Sequence, residues 1–221
     1  MKDIATKSTT NYILEKYDLY PKKKYGQNFL IDPRIVEKIV CSSSVDKECA
    51  VIEVGPGIGA LTQVLARYAG YVRSYEIDTR FKGVYEEFLN EDHIDVVFDD
   101  FLKIDLTTLE SLKEKYKKVI LVANLPYYIT TPIIMKLLEN RLKIESITIM
   151  IQKEVAERIV ATPGSKLSGA ITYSVHYYAE PEKIALVPNT SFIPSPEVDS
   201  EVIKLNIRKS PPVKIDNEKF G

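Results

Sequence analysis

Ala50-Val51-Ile52-Glu53-Val54-Gly55-Pro56-Gly57-Ile58-Gly59-Ala60-Leu61 is the stretch that decides the fold. A short apolar run ends on an acidic residue and turns through three glycines. It then enters a segment in which Leu61, Val64, Leu65 and Tyr68 recur at helical spacing. The order is therefore strand, tight loop, helix. Glycine lets the backbone turn sharply and lets a ligand approach it closely. The pattern G-x-G-x-G followed by Ala60 and Leu61 departs from the G-x-G-x-x-G of dinucleotide sites. A bare strand-to-helix turn would also look like this. The acid closing the strand suits a ligand without a pyrophosphate.

Outward from this stretch the same alternation repeats. Strands are predicted at Tyr71–Ile77, Ile94–Phe98, Val119–Ala123 and Ser146–Ile151. Helices run through Phe81, Tyr85 and Phe88, and over Pro132–Leu138, Val155–Val160 and Leu167–Tyr178. Lys183–Val187 and Val198–Ile207 close the chain as two strands with no helix between them. Toward the N-terminus a helix is predicted over residues 11–20. Asp32 caps a second one, with Pro33 at its first position and a stripe of Ile35, Val36, Ile39 and Val40. The class is α/β: a mostly parallel seven-stranded sheet with helices on both faces and an antiparallel edge strand from the terminal hairpin. Ligands in such sheets bind beyond the carboxyl ends of the strands, at the topological switch point.

Composition narrows the options. The chain has 221 residues, enough for one full domain without a disulfide or metal to hold it. It has no run of about 18 apolar residues, so no membrane partner is expected. Met1 to Asn11 lacks the apolar centre of a secretory signal, which makes the cytoplasm the expected compartment. Two cysteines and two histidines exclude a Cys/His zinc site, and no metal is expected. A net charge of −1 argues mildly against a nucleic-acid partner, although it can hide clusters. Lys113, Lys115, Lys117 and Lys118 read as a solvated face. Lys22, Lys23 and Lys24, beside Tyr25-Gly26-Gln27-Asn28-Phe29-Leu30, read equally as a solvated face or a phosphate contact.

Three further positions carry chemistry. Glu76 ends the second strand about 20 residues after the glycine loop, where a carboxylate can accept from ribose hydroxyls; Asp78 fits a helix cap better. Asp99-Asp100 follows the third strand, where a carboxylate can accept from an adenine amine. Together these describe a nucleoside site. Asn124-Leu125-Pro126-Tyr127-Tyr128 closes the fourth strand and is the most specific signal. An amide oxygen and a backbone carbonyl can both accept from one –NH₂ group, and a nearby aromatic ring can stack on its base. Pro126 fixes the turn.

Gly26 to Leu30, Glu53 to Gly59, Glu76-Ile77-Asp78 and Asn124 to Tyr127 occur in that order. So do Glu154-Val155-Ala156-Glu157-Arg158 and the run from Phe192 to Ser200. In this the chain resembles the ribosomal RNA adenine dimethyltransferases of the KsgA type, from about Tyr12 to Arg208. The resemblance implies a Rossmann-like class I methyltransferase fold using S-adenosyl-L-methionine. Asn28 and the backbone of Leu30 would meet its methionine end, Gly55 and Gly57 its middle, Glu76 the ribose and Asp100 the adenine. Asn124, with the Leu125 carbonyl, would hold the target amine and border the cofactor. Tyr127 and Phe192 would sandwich the target base. The implied reaction dimethylates N6 of two neighbouring adenosines in a hairpin loop of small-subunit (16S) rRNA, within a 30S subunit or its precursor, by a monomer. Residues 1–209 would be the catalytic domain, and 210–221 a linker toward a small helical domain not included here. The stretch Gly164 to Gly169 resembles a substrate loop but differs in its middle residues. Other readings stay open: a large-subunit enzyme of the antibiotic-resistance type, a DNA adenine methyltransferase, and a mainly non-catalytic ribosome-assembly factor. Isoleucine is commoner than Leu125 at that position in the resistance branch.

Overall fold

The N-terminal arm of the computed structural model, which describes residues 2–213, comprises helix α1 (Lys7–Lys16), the two-residue strand β1 (Phe29–Leu30) and helix α2 (Pro33–Ser42). Helix α1 begins at Lys7 because Thr6 caps it, its hydroxyl accepting from the Thr9 amide. That places it four residues before the predicted start. Asp32 caps α2 with Pro33 behind it, as expected.

Strand β2 (Cys49–Val54) is buried at every position, with Val51 in one apolar core and Ala50 and Ile52 in the other. A strand that is apolar on both faces needs layers on both sides. Helix α3 (Ala60–Tyr68) follows, then strand β3 (Tyr71–Tyr75), helix α4 (Lys82–Phe88) and strand β4 (Ile94–Val97). Two single-turn helices, α5 (Thr107–Glu110) and α6 (Leu112–Lys115), precede strand β5 (Lys118–Asn124). Then come helix α7 (Thr130–Glu139), strand β6 (Ser146–Gln152) and helices α8 (Lys153–Val160) and α9 (Ala170–Tyr178). Strand β7 (Ala179–Val187), the short β8 (Phe192–Ile193) and β9 (Ser200–Ile207) complete the described chain.

The sheet order is β4-β3-β2-β5-β6-β9-β7. The pairs from β4 through to β6 are parallel, and β9 runs antiparallel to both neighbours. The edge strand β7 thus pairs antiparallel with its neighbour, as expected, and β9 inserts between β6 and β7, running against both. Helix α9 starts at Ala170 and not at Leu167, since Gly169 is its cap and the Gly169 amide donates to the Thr172 hydroxyl at 2.9 Å. The basic run at 113–118 is surface, with Lys117 paired to Glu48 and Lys118 to Asp46. The tail read as a linker, 210–221, lies outside the described residues from Lys214 onward.

Candidate active site

The chain leaves β2 toward β3 and β4, then returns to place β5 on the other side of β2. This reversal is the switch point. The glycine loop after β2 and the Asn124 turn after β5 face each other across it, around a cavity of about 320 Å³, a volume in the range of small-molecule sites. All ten residues singled out from the sequence line it: Asn28, Leu30, Gly55, Gly57, Glu76, Asp100, Asn124, Leu125, Tyr127 and Phe192.

The loop holds its shape through left-handed backbone. Gly57 has φ 60° and Gly59 φ 88°, values that side chains rarely tolerate. At Gly59 an added Cβ would also run into Leu89. The Gly57 amide donates to Glu76 Oε2 at 3.0 Å, and its carbonyl accepts from the Tyr85 hydroxyl at 2.6 Å. Glu76 Oε1 accepts from the Asp78 amide at 2.8 Å. Burial pushes the Glu76 carboxyl up to about 7 against those two hydrogen bonds. Glu53 also lines the cavity. Its Oε2 accepts from the Ser74 and Thr62 hydroxyls at 2.6 and 2.7 Å, while its Oε1 is buried with no partner. Burial raises it to about 7 as well, and the nearby Glu76 adds to the rise.

Neither carboxyl has a cation beside it among the described residues. Two under-compensated acids, an orphaned buried oxygen and a glycine-rich loop fit a polar nucleoside that carries positive charge.

Asn124 ends β5. Its side chain and the Leu125 carbonyl accept or donate no hydrogen bond among the described residues, while the Leu125 amide donates to the Met150 carbonyl at 3.1 Å. Two acceptors are thus held ready on a rigid strand end. Tyr127 is fixed by a 3.0 Å contact of its hydroxyl with the Ser200 hydroxyl at the start of β9. Phe192 lies in β8, which pairs with β1, Leu30 opposite Phe192. This two-residue ladder brings the N-terminal arm onto the cavity.

Sequence reasoning missed the latch behind that arm. Gln27 donates to Asp78 Oδ2 at 3.0 Å and accepts from the Lys22 amide at 2.8 Å. Arg80 bonds Asp78 and the Tyr20 carbonyl. Burial alone would raise the Asp78 carboxyl, but Arg80 and Gln27 bring it down to about 2. Asp78 also caps the turn that begins at Thr79, as read from the sequence. Lys136 was missed too: from α7 it donates to the carbonyls of Leu102 and Ile104 at 2.8 and 2.9 Å, tying down the segment after Asp100. Asp100 itself accepts from the Leu102 amide at 3.0 Å. Among the described residues no group of His, Cys, Asp or Glu is placed to hold a metal ion, and no helix is long and apolar enough to cross a membrane.

Residues 20–220 match the family model described as ribosomal RNA adenine dimethylase. The chain is 49% identical, over 99% of its length, to the ribosomal RNA small subunit methyltransferase A of Shouchella clausii, spanning 75% of that relative. Among solved structures, a dimethyladenosine transferase from Plasmodium falciparum superposes with a TM-score of 0.71 at 30% identity. That match covers 81% of this chain and 63% of the other. A 23S rRNA methyltransferase, ErmE, gives 0.71 at 31% identity over 85% of this chain and 72% of the other.

Proposed function

This chain belongs to the ribosomal RNA adenine dimethylase family, and on that footing we propose that it transfers methyl groups from S-adenosylmethionine to N6 of two adjacent adenosines of small-subunit rRNA. It acts on a 30S subunit or its precursor, as a monomer in the cytoplasm. Residues 1–209 form the catalytic unit. The observation that carries the reading is the Asn124 turn, whose two free acceptors stand across the switch point from the nucleoside cradle.

Bound S-adenosylmethionine would supply an electrophilic methyl group on a sulfonium. Asn28 and Leu30 would hold its methionine end, Gly55 and Gly57 would pass close to its middle, Glu76 would take the ribose and Asp100 the adenine. The difficult partner is the adenine amine, because its lone pair is delocalised into the ring. Asn124 Oδ1 and the Leu125 carbonyl accept its two N–H groups, which favours a pyramidal nitrogen. They also stabilise the positive charge that develops there, an interaction stronger in the transition state than before it. The proton then leaves to water. Holding the nitrogen in line with the methyl group contributes ~7–11 kcal/mol. Splaying out the base costs a few kcal/mol, least in a loop. Tyr127 and Phe192 offset this at ~1–3 kcal/mol each by stacking.

The test uses tritiated S-adenosylmethionine with 30S subunits lacking the modification, with 50S subunits and DNA alongside. Label on two adjacent adenosines of the 30S RNA is expected. Label on 50S would assign the large-subunit activity, and label on DNA alone would assign a DNA enzyme. Asn124→Ala is expected to lower kcat at least a hundredfold while keeping cofactor affinity. Normal turnover in that variant would remove Asn124 from its role.

A further inference from the structure

Tyr128 is used by none of the steps above, yet it lines the cavity and is 55% exposed. Its neighbour Tyr127 spends its hydroxyl on Ser200. The Tyr128 hydroxyl has no hydrogen-bond partner among the described residues. The ring lies against the N-terminal arm, where a Cβ added at Gly26 would sit 3.7 Å from its Cδ1. On the same arm Tyr25 also lines the cavity, with the Lys24 and Lys22 ammoniums 4.5 and 5.7 Å from its ring centroid. One rim thus carries two aromatic rings and two cations. An exposed ring contributes little to the fold. Rings set beside cations are what single-stranded nucleic acid needs: a face for a base and a charge for its phosphate.

We propose that Tyr128 and Tyr25, flanked by Lys22 and Lys24, form a stacking rim that binds the nucleotide next to the target adenosine. The proposal rests on the RNA methyltransferase reading and assigns the adjoining subsite on the RNA. It explains how the loop strand is held open while one base occupies the inner pocket. A neighbour stacked on Tyr128 cannot restack on the base that has been drawn in. The cations select a strand that continues outward from the cavity.

The test compares the wild type with Tyr128→Leu, Tyr128→Phe and the double variant Lys22→Gln/Lys24→Gln on unmodified 30S subunits. KM for subunits and kcat are measured across a salt series. Affinity for S-adenosylhomocysteine is measured by calorimetry. Tyr128→Leu is expected to raise KM about tenfold, with cofactor affinity unchanged, and Tyr128→Phe to recover it. The lysine pair is expected to flatten the salt dependence of KM by about 1.4 log units per log unit of salt. An unchanged KM in Tyr128→Leu overturns the proposal and leaves the enzymatic reading intact. So does a loss confined to S-adenosylhomocysteine affinity, which would make Tyr128 a cover for the cofactor. If the wild type labels no RNA, both fall together.

Discussion

Glu53 and Glu76 sit in the cavity wall at 1% and 4% exposure, with no cation beside either among the described residues. Burial raises both from 4.5 to about 7. Each therefore binds its proton more tightly folded than unfolded. Their contribution to stability is complete below about pH 4.5 and is lost as pH rises through about 7. Asp46 and Asp78, held at about 2 by cationic neighbours, have finished titrating below this window. The ligand-free protein is thus expected to lose Tm between pH 5 and 8, by roughly 5–10 °C for each fully titrated group. Glu53→Gln keeps an oxygen for Ser74 and Thr62 and removes one titration, so its profile should be markedly flatter in thermal-shift measurements. A profile as steep as the wild type's would clear Glu53. The sequence made Glu76 readable, since a strand-end acid after a glycine loop is a local pattern. It did not reveal that Glu53 would be left with an orphaned oxygen, because that depends on Ser74 and Thr62, which reach it from other elements.

Elements were readable where their signal was local. The β2–α3 unit, the Asp32 cap and the run of parallel strands all follow from periodicity and capping. Strand order did not, and nothing in Val198–Ile207 says that β9 slips between β6 and β7. The α5 and α6 turns hide in a charge-rich stretch that buries only Leu109 and Leu112. The β1–β8 ladder is two residues long, too short for any pattern. Contacts that cross between elements were equally silent, and Lys136 is the sharpest case. Its ammonium bridges α7 to two carbonyls of the segment that presents Asp100 and Phe101 to the cavity. Hydrogen bonds to a charged donor contribute on the order of 2 kcal/mol each. With both bonds lost, Lys136→Met should lower Tm by roughly 8–16 °C and weaken S-adenosylhomocysteine binding several-fold, since the adenine side loses its tether. Calorimetry decides this: an unaltered affinity would show that the loop holds its place without Lys136.

At the scale of the molecule, two apolar cores lie on opposite faces of one sheet, and the cavity is lined by residues of both and by the N-terminal arm, which packs into the first of them. The glycine loop is backed by the core that contains Ile58 and Leu61, and the Asn124 turn by the core that contains Leu125 and Ile133. A ligand held by Asn28, Gly57, Glu76 and Asp100 would bridge arm, loop and sheet, and would stabilise the folded chain by mass action. At 100 times its Kd the gain is about 2.7 kcal/mol, which for a domain of this size raises Tm by roughly 5–11 °C. S-adenosylhomocysteine is expected to give that rise in the wild type and in Asn124→Ala, and little of it in Glu76→Ala. The division between the two variants is the informative part. Glu76 serves the nucleoside cradle and Asn124 chiefly the incoming amine, so only one of them should uncouple ligand from stability. Equal loss of the shift in both would mean that the two halves of the cavity form a single site for the cofactor. The target amine would then have to be held elsewhere.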